Sequence, residues 1–308
     1  MNSAPPAESD QSTGPTPDRE GIFQAELAVS ARRPTRSPLA RGLLFLCFMV
    51  GIAIPIVLFW LPSEQANWQI AAAQAKWLDG DLVGAIETLD AATVRYPDNT
   101  TVYEQRFEFL LEAKEFEKAL DDAQQLVKAS PKSAEAIGLQ SQALHHLGRH
   151  NEAIERCAEV LRLADEEWIG SAPNARNSLA YAQAIGDTQL DKALEHIEEA
   201  LRLLGDNPAM LDTRGFIKYR LGDSKAARDD IEQAVASFEM FVAHLEARQF
   251  VSVRSYQSEA ERLSYQQALA VMLYHRSLVY DRLGMQDKAK VDRERVRGLG
   301  HEPNASLF

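Results

Sequence analysis

Residues 213–235 read TRGFIKYRLGDSKAARDDIEQAV. The stretch breaks at Leu221-Gly222-Asp223, and Ala227 follows the glycine by five positions. A glycine there can end one helix in the left-handed conformation without a Cβ penalty. The small alanine lets a second helix return close beside the first. Working outward, the same phrase recurs as Leu78-Asp79-Gly80-Asp81 before Ala85, Leu147-Gly148-Arg149 before Ala153, and Leu283-Gly284-Met285 before Ala289. Ala85, Ala119 and Ala153 are spaced by 34 residues, as are Ala193 and Ala227, and Pro97 and Pro131. A proline near the end of the second helix stops it before the next pair begins. Self-similarity at this period predicts antiparallel helix pairs, which stack because one pair cannot bury its apolar faces alone.

Four phrases carry the pattern: GDLVGAIETLDAATVRYPDN (80–99), LGRHNEAIERCAEVLRLA (147–164), LDKALEHIEEALRLLGDNP (190–208) and the stretch quoted first. In these residues the chain resembles the tetratricopeptide-repeat (TPR) family. The resemblance implies an all-α fold, a right-handed α-solenoid of about six helix pairs. The units fall at 66–99, 100–133, 134–167, 174–207, 208–241 and 270–303, within a solenoid of 62–303 and a short tail at 304–308. Four departures stand out. Lys114 occupies a turn where the other units use glycine, and unit three ends in Ala164-Asp165 rather than proline. WIGSAP (168–173) interrupts the array, and a longer insertion covers 242–269. There the second helix of unit five is expected to extend toward Leu245. A loop at 250–257 and a long helix from near Glu259 to Leu283 follow, with packing rather than binding as the expected role.

The 308 residues are 45% apolar and 25% charged, an ordinary globular composition. A net charge of -12 argues against nucleic acid, whose binders carry basic surfaces. Two cysteines, Cys47 and Cys157, exclude a disulfide framework. Residues 42–61, GLLFLCFMVGIAIPIVLFWL, contain no charge, amide or hydroxyl over 20 positions. A helix of that length spans roughly 30 Å, a bilayer core. Arg32, Arg33, Arg36 and Arg41 precede it, and the next basic residue after it is Lys76. Positive-inside then expects an uncleaved single-pass anchor in the inner (cell) membrane, a cytoplasmic N-terminus and repeats outside the cytoplasm. Residues 1–41, with four prolines in the first twenty, read as a disordered tail ending in a basic juxtamembrane segment. Similar repeat strings in anchored bacterial proteins point to a bacterial source.

Catalysis finds no support: there is no phosphate-binding glycine loop, no HExxH and no nucleophile elbow. No cofactor, metal or small-molecule substrate is expected. His145, His146 and His150 are the best metal candidates, but adjacent histidines on a helix diverge and Gly148 interrupts the i, i+4 pair. The family resemblance places the ligand groove along the first helix of each unit, at its second, fifth, ninth, twelfth and thirteenth positions. Those registers select Trp77 in unit one, Glu104, Glu108 and Glu112 in unit two, His145 in unit three, and Asp212, Phe216, Tyr219 and Arg220 in unit five. The three glutamates recur at four-residue intervals and form one acidic stripe. The family's basic clamp for peptide C-termini is lacking, so a basic or mixed extended segment is the expected ligand of a non-enzymatic adaptor. Contact through the convex face or the 242–269 insertion is the alternative. Asn99-Thr100-Thr101 and Asn304-Ala305-Ser306 fit the glycosylation pattern, which matters only in a eukaryotic secretory compartment.

Overall fold

A computed structural model describes residues 37–55, 61–167, 172–248 and 255–304. The chain divides into two units, 1–60 and 61–308, each taken by itself. In the first, helix α1 runs Pro38–Pro55. Its side chains Leu43, Phe45, Leu46 and Phe48 are exposed. Helix α1 covers residues 42–55 of the expected 42–61 span, and its first turn contains Arg41. Among the described residues no helix is long and apolar enough to cross a membrane. Residues 56–60, like the expected disordered tail at 1–36, lie outside the described residues.

Among its described residues the second unit contains twelve helices and no strand. They are α2 (Leu61–Leu78), α3 (Leu82–Arg95), α4 (Thr100–Glu112), α5 (Phe116–Ala129), α6 (Ala134–His146) and α7 (His150–Glu167). After residues 168–171, which hold most of WIGSAP and are not described, come α8 (Ala172–Ile185), α9 (Leu190–Leu204), α10 (Pro208–Arg220) and α11 (Ser224–Arg248). The expected loop at 250–257 falls mostly in 249–254, also outside the described residues. The chain continues in α12 (Tyr256–Arg282) and α13 (Gln286–Gly298). Each helix packs on the next in sequence, the pattern of a solenoid.

Local chemistry sets the helix starts. Asp81, Asn99, Ser133 and Asn207 accept hydrogen bonds from the backbone N–H groups of Gly84, Val102, Ala136 and Met210, satisfying donors that have no intrahelical partner. At the turn after α4, Lys114 adopts φ +58°, the conformation its glycine counterparts take. At the turn after α8 the left-handed residues are Asp187, φ +51°, and Gln189, φ +50°, rather than Gly186. Gly186 serves close packing instead: a Cβ there would lie 3.2 Å from Cδ1 of Ile154.

The alanines of the repeat do what their size suggests. Ala85, Ala119, Ala153, Ala193, Ala227 and Ala289 are all fully buried. The apolar interior falls into three clusters. One, around Phe107, Phe109 and Leu110, belongs to the first three helix pairs. A second, around Phe216, Ile217 and Leu273, belongs to the last three. A smaller one, with Ile154, Cys157, Leu161 and Leu179, joins α7 to α8. Within three of the pairs an arginine of the first helix reaches an aspartate of the second, sixteen residues on: Arg106 to Asp122, Arg214 to Asp230 and Arg276 to Asp292. The aspartates are buried. In the sequence their signal is an Arg–Asp spacing of 16 that recurs in aligned units.

Candidate partner-binding groove

The last turn of α2 brings Trp77 beside α4, which carries Gln105, Glu108, Phe109 and Glu112. The indole of Trp77 stacks on Phe109 with ring centroids 6.2 Å apart, and its Nε1–H donates to Oε2 of Glu112 at 2.6 Å. Gln105 is buried; its amide accepts from Nε2 of Gln74 at 2.6 Å and donates to Oε2 of Glu108 at 2.9 Å. Together these residues form a notch with an aromatic wall and a polar floor.

The notch is occupied by the chain itself. Tyr256, the first residue of α12, sets its ring edge-on to Trp77 at 5.2 Å and to Phe109 at 5.9 Å. Its hydroxyl donates to Oε2 of Glu108 at 2.5 Å and accepts from Nε2 of Gln105 at 2.5 Å. Burial, then the Glu108 carboxylate, pushes the phenol pKa well up, so Tyr256 stays a donor at any physiological pH. The insertion's helix therefore reaches back to the first two helix pairs. At 27 residues it is about 40 Å long, enough for that reach. From Ala270 onward α12 enters the core; no earlier residue of it is buried.

The predicted glutamate stripe thus divides by role. Glu112 holds Trp77, and Glu108 holds Tyr256 and Gln105. Glu104, half-buried one turn away, makes no hydrogen bond or ion pair among the described residues. Burial first, then the charges of Glu135 and Glu108, raises its pKa. Among the described residues no lysine or arginine pairs with Glu104, Glu108 or Glu112; Arg254, two positions before Tyr256, lies outside the described residues.

The other predicted groove residues lie elsewhere. His145 faces His150 across the turn, Nδ1 to Nδ1 at 3.3 Å, while His146 stacks on Phe116 with centroids 4.7 Å apart. Burial, then the neighbouring His150 and His146, holds the His145 pKa down to about 4. Among the described residues no three metal-ligating side chains converge. Asp212 and Phe216 are buried between α10 and α12. Oδ2 of Asp212 lies 2.8 Å from Nδ1 of His275, and Phe216 stacks on the same imidazole at 4.1 Å. Tyr219 lies under the Arg282 guanidinium, 3.9 Å from its ring centroid, and Arg220 pairs with Asp187 at 2.9 Å. These four cement successive helix pairs and do not join the notch. A shallow depression of about 240 Å³ is lined by Thr93, Val94, Tyr103, Arg106, Asp121, Asp122 and Gln125. Its arginine is committed to Asp90, Asp122 and Thr93.

The repeating pairs define the class of fold, the tetratricopeptide-repeat solenoid, and solved structures agree. One is a tetratricopeptide repeat protein from Parabacteroides merdae, with TM-score 0.58 and 16% identity over 77% of this chain and 79% of that one. Another is PilW, described as a widely conserved type IV pilus biogenesis factor, with TM-score 0.52 and 17% identity over 76% of this chain and 92% of that one. At such identity the likeness establishes the fold. No family model matches the chain, and neither does any curated protein sequence.

Proposed function

We propose that this chain is a non-enzymatic scaffold whose concave groove binds a basic or mixed extended segment of a protein partner. The observation that carries the reading is the notch of Trp77, Phe109, Gln105 and Glu108, built to hold an inserted side chain and bordered by carboxylates that form no ion pair among the described residues. Membrane anchoring belongs to the same proposal. It is supported by the uncharged run 42–61, the arginines before it and the exposed apolar side chains of α1. In this reading the N-terminus is cytoplasmic and the repeats stand outside the inner membrane, where confinement to a surface raises the effective concentration of both partners.

The test is photocrosslinking from position 101 in cells, with and without charge reversal of Glu104, Glu108 and Glu112. A partner captured by the wild type and lost on reversal supports the groove; capture unchanged by reversal refutes it. The seating of α12 in the groove favours a second reading, in which the insertion itself carries the contact. Deleting 242–269 would then abolish capture while charge reversal leaves it intact. Protease added to spheroplasts carrying a C-terminal tag tests the orientation: digestion of the tag supports it, and protection rejects it.

A further inference from the structure

The first and last helices of the repeat array present opposite chemistry. In repeat units two to six, the third, sixth, seventh and tenth positions form the seam against the preceding helix pair. In unit two they are Val102, Gln105, Arg106 and Phe109. Gln105 meets Gln74, Arg106 meets Asp90 and Thr93, and Phe109 meets Trp77, all in unit one. No residue at these registers is exposed in units two to six. Unit one carries Trp68, Ala71, Ala72 and Ala75 there, and all four are exposed, Trp68 to 72%. At the other end α13 exposes Asp287, Lys290, Glu294 and Arg297 around Val291. A terminal repeat needs a polar outer face to stay in solution by itself. The last unit has one, and the first presents a seam with nothing of the array left to cover it.

The residues of this seam say what fits it. Units two, five and six place arginine at the seventh position, and Arg106 reaches back to a carboxylate of the preceding pair. Unit one has Ala72 there, and Thr88 in place of the partner aspartate; Thr88 donates to the Gly84 carbonyl and accepts from Lys76. The face therefore suits a helix that brings small apolar side chains and no carboxylate. Its own copy is such a helix. About a two-fold axis at Ala71 and Ala72, Trp68 of one copy falls opposite Ala75 of the other and Ala71 opposite Ala72, so large meets small and the backbones approach closely. The charged α13 of another copy fits poorly, since its ions would be desolvated against alanine and tryptophan. We infer that the Trp68–Ala75 face of α2 is an interface between two copies of this chain, packed antiparallel about that axis into a closed dimer. The inference makes no use of the groove reading. Glu64 and Asp79 lie about 11 Å to either side of the axis. Like charges then meet at the rim, and salt should tighten the dimer rather than loosen it.

The experiment uses the full-length chain in a non-ionic detergent. Sedimentation velocity and light scattering, corrected for the micelle, give the protein mass per particle at concentrations up to about 100 μM. The wild type should pass from one copy to two. Ala72→Glu places its charge at an exposed helix position, where folding tolerates it, as circular dichroism checks. It should weaken the dimer about tenfold or more, because two carboxylates then meet at the axis. Disulfide trapping reads the geometry in a Cys47→Ser background. Ala72→Cys should link two copies on oxidation, since the axis brings that position close to itself. Ala75→Cys should not, because the antiparallel arrangement holds it about 10 Å from its own equivalent along the helix.

A wild type that remains a single copy at every concentration overturns the inference. Slow alkylation of Ala72→Cys would then show the face covered by residues 1–36 of the same chain, and fast alkylation would leave it to a different protein. A dimer that Ala72→Glu leaves intact also overturns it, since the contact would then lie elsewhere, as in the run 42–61. Equal linking at positions 72 and 75 overturns the antiparallel two-fold.

Discussion

Replacing Arg106 by methionine isolates what one buried ion pair does for a helix pair. Arg106 grips Asp122 through Nε, 2.9 Å from Oδ2, and through Nη2 to Oδ1. Its Nη1 also donates to Asp90 at 2.7 Å and to Thr93 at 3.1 Å. Asp90 is half exposed and can rely on water, but the Asp122 side chain is 1% exposed and cannot. Burial already pushes the Asp122 carboxyl up, and Arg106 is the group that pulls it back. Without the arginine the carboxyl must stay charged and unpaired, or take a proton. Neutralising a carboxyl of ordinary acidity, about 3.9, costs about 4 kcal/mol at pH 7 and about 1.5 kcal/mol at pH 5. Arg106→Met should therefore cost about 3–4 kcal/mol at pH 7, within the range for breaking a buried pair, and the loss should shrink as pH falls toward 5. The double variant Arg106→Met with Asp122→Leu should recover to within about 1 kcal/mol of wild type, because neither charge then needs a partner. Urea unfolding at pH 7 and pH 5, followed by circular dichroism and by amide exchange in α5, measures all of this. A loss under about 1 kcal/mol in the single variant refutes the reasoning. So does a double variant as unstable as the single one.

Three further outcomes follow from particular positions. Gly215→Ala places a Cβ 2.4 Å from Cγ1 of the fully buried Ile231 and 3.1 Å from the Ala227 carbonyl. The clash should outweigh the gain in helix propensity and lower stability by about 1–2 kcal/mol in thermal unfolding; a gain would show that α10 and α11 can part. Lys114→Gly removes a side chain from a residue at φ +58° and should raise stability by about 0.5–1 kcal/mol in the same assay, whereas a loss would mean that the turn is not strained. His145 is held down to about 4 from an ordinary 6.5 by burial, His150 and His146, so the unfolded chain binds the proton more readily. The contribution is complete above pH 6.5 and is lost as pH falls toward 4, at most about 3 kcal/mol; His145→Gln should flatten that slope, and an unchanged slope rules the cause out.

The repeat was legible because its signals are local. A turn residue, an alanine five positions later and a proline at the end of the unit each act within one helix pair, and their period survives in the sequence. Lys114 shows the limit of that logic: the residue type departs, yet the backbone takes the same left-handed turn, because the packed helices on either side impose it. The candidate site was legible only in part. Trp77, Glu108 and Glu112 come together because they follow the repeat register. Asp212 and Phe216 follow it too, but the register does not distinguish an open groove from the seam between successive first helices, where α12 covers them. Tyr256 was out of reach. Its partners lie 148 and 151 residues away, and no periodicity links a residue in an insertion to a distant unit.

That separation also sets an order in time. Glu112, the last residue of the notch, leaves the ribosome 144 positions before Tyr256, as their numbers give. At about 5–20 residues per second this is an interval of roughly 7–30 s. The apolar cluster beneath the notch ends at Ala153, well before Tyr256, so the nascent chain holds a complete and vacant notch for the last part of that interval. A segment that arrives then finds the notch open, whereas one that arrives after synthesis finds Tyr256 seated in it.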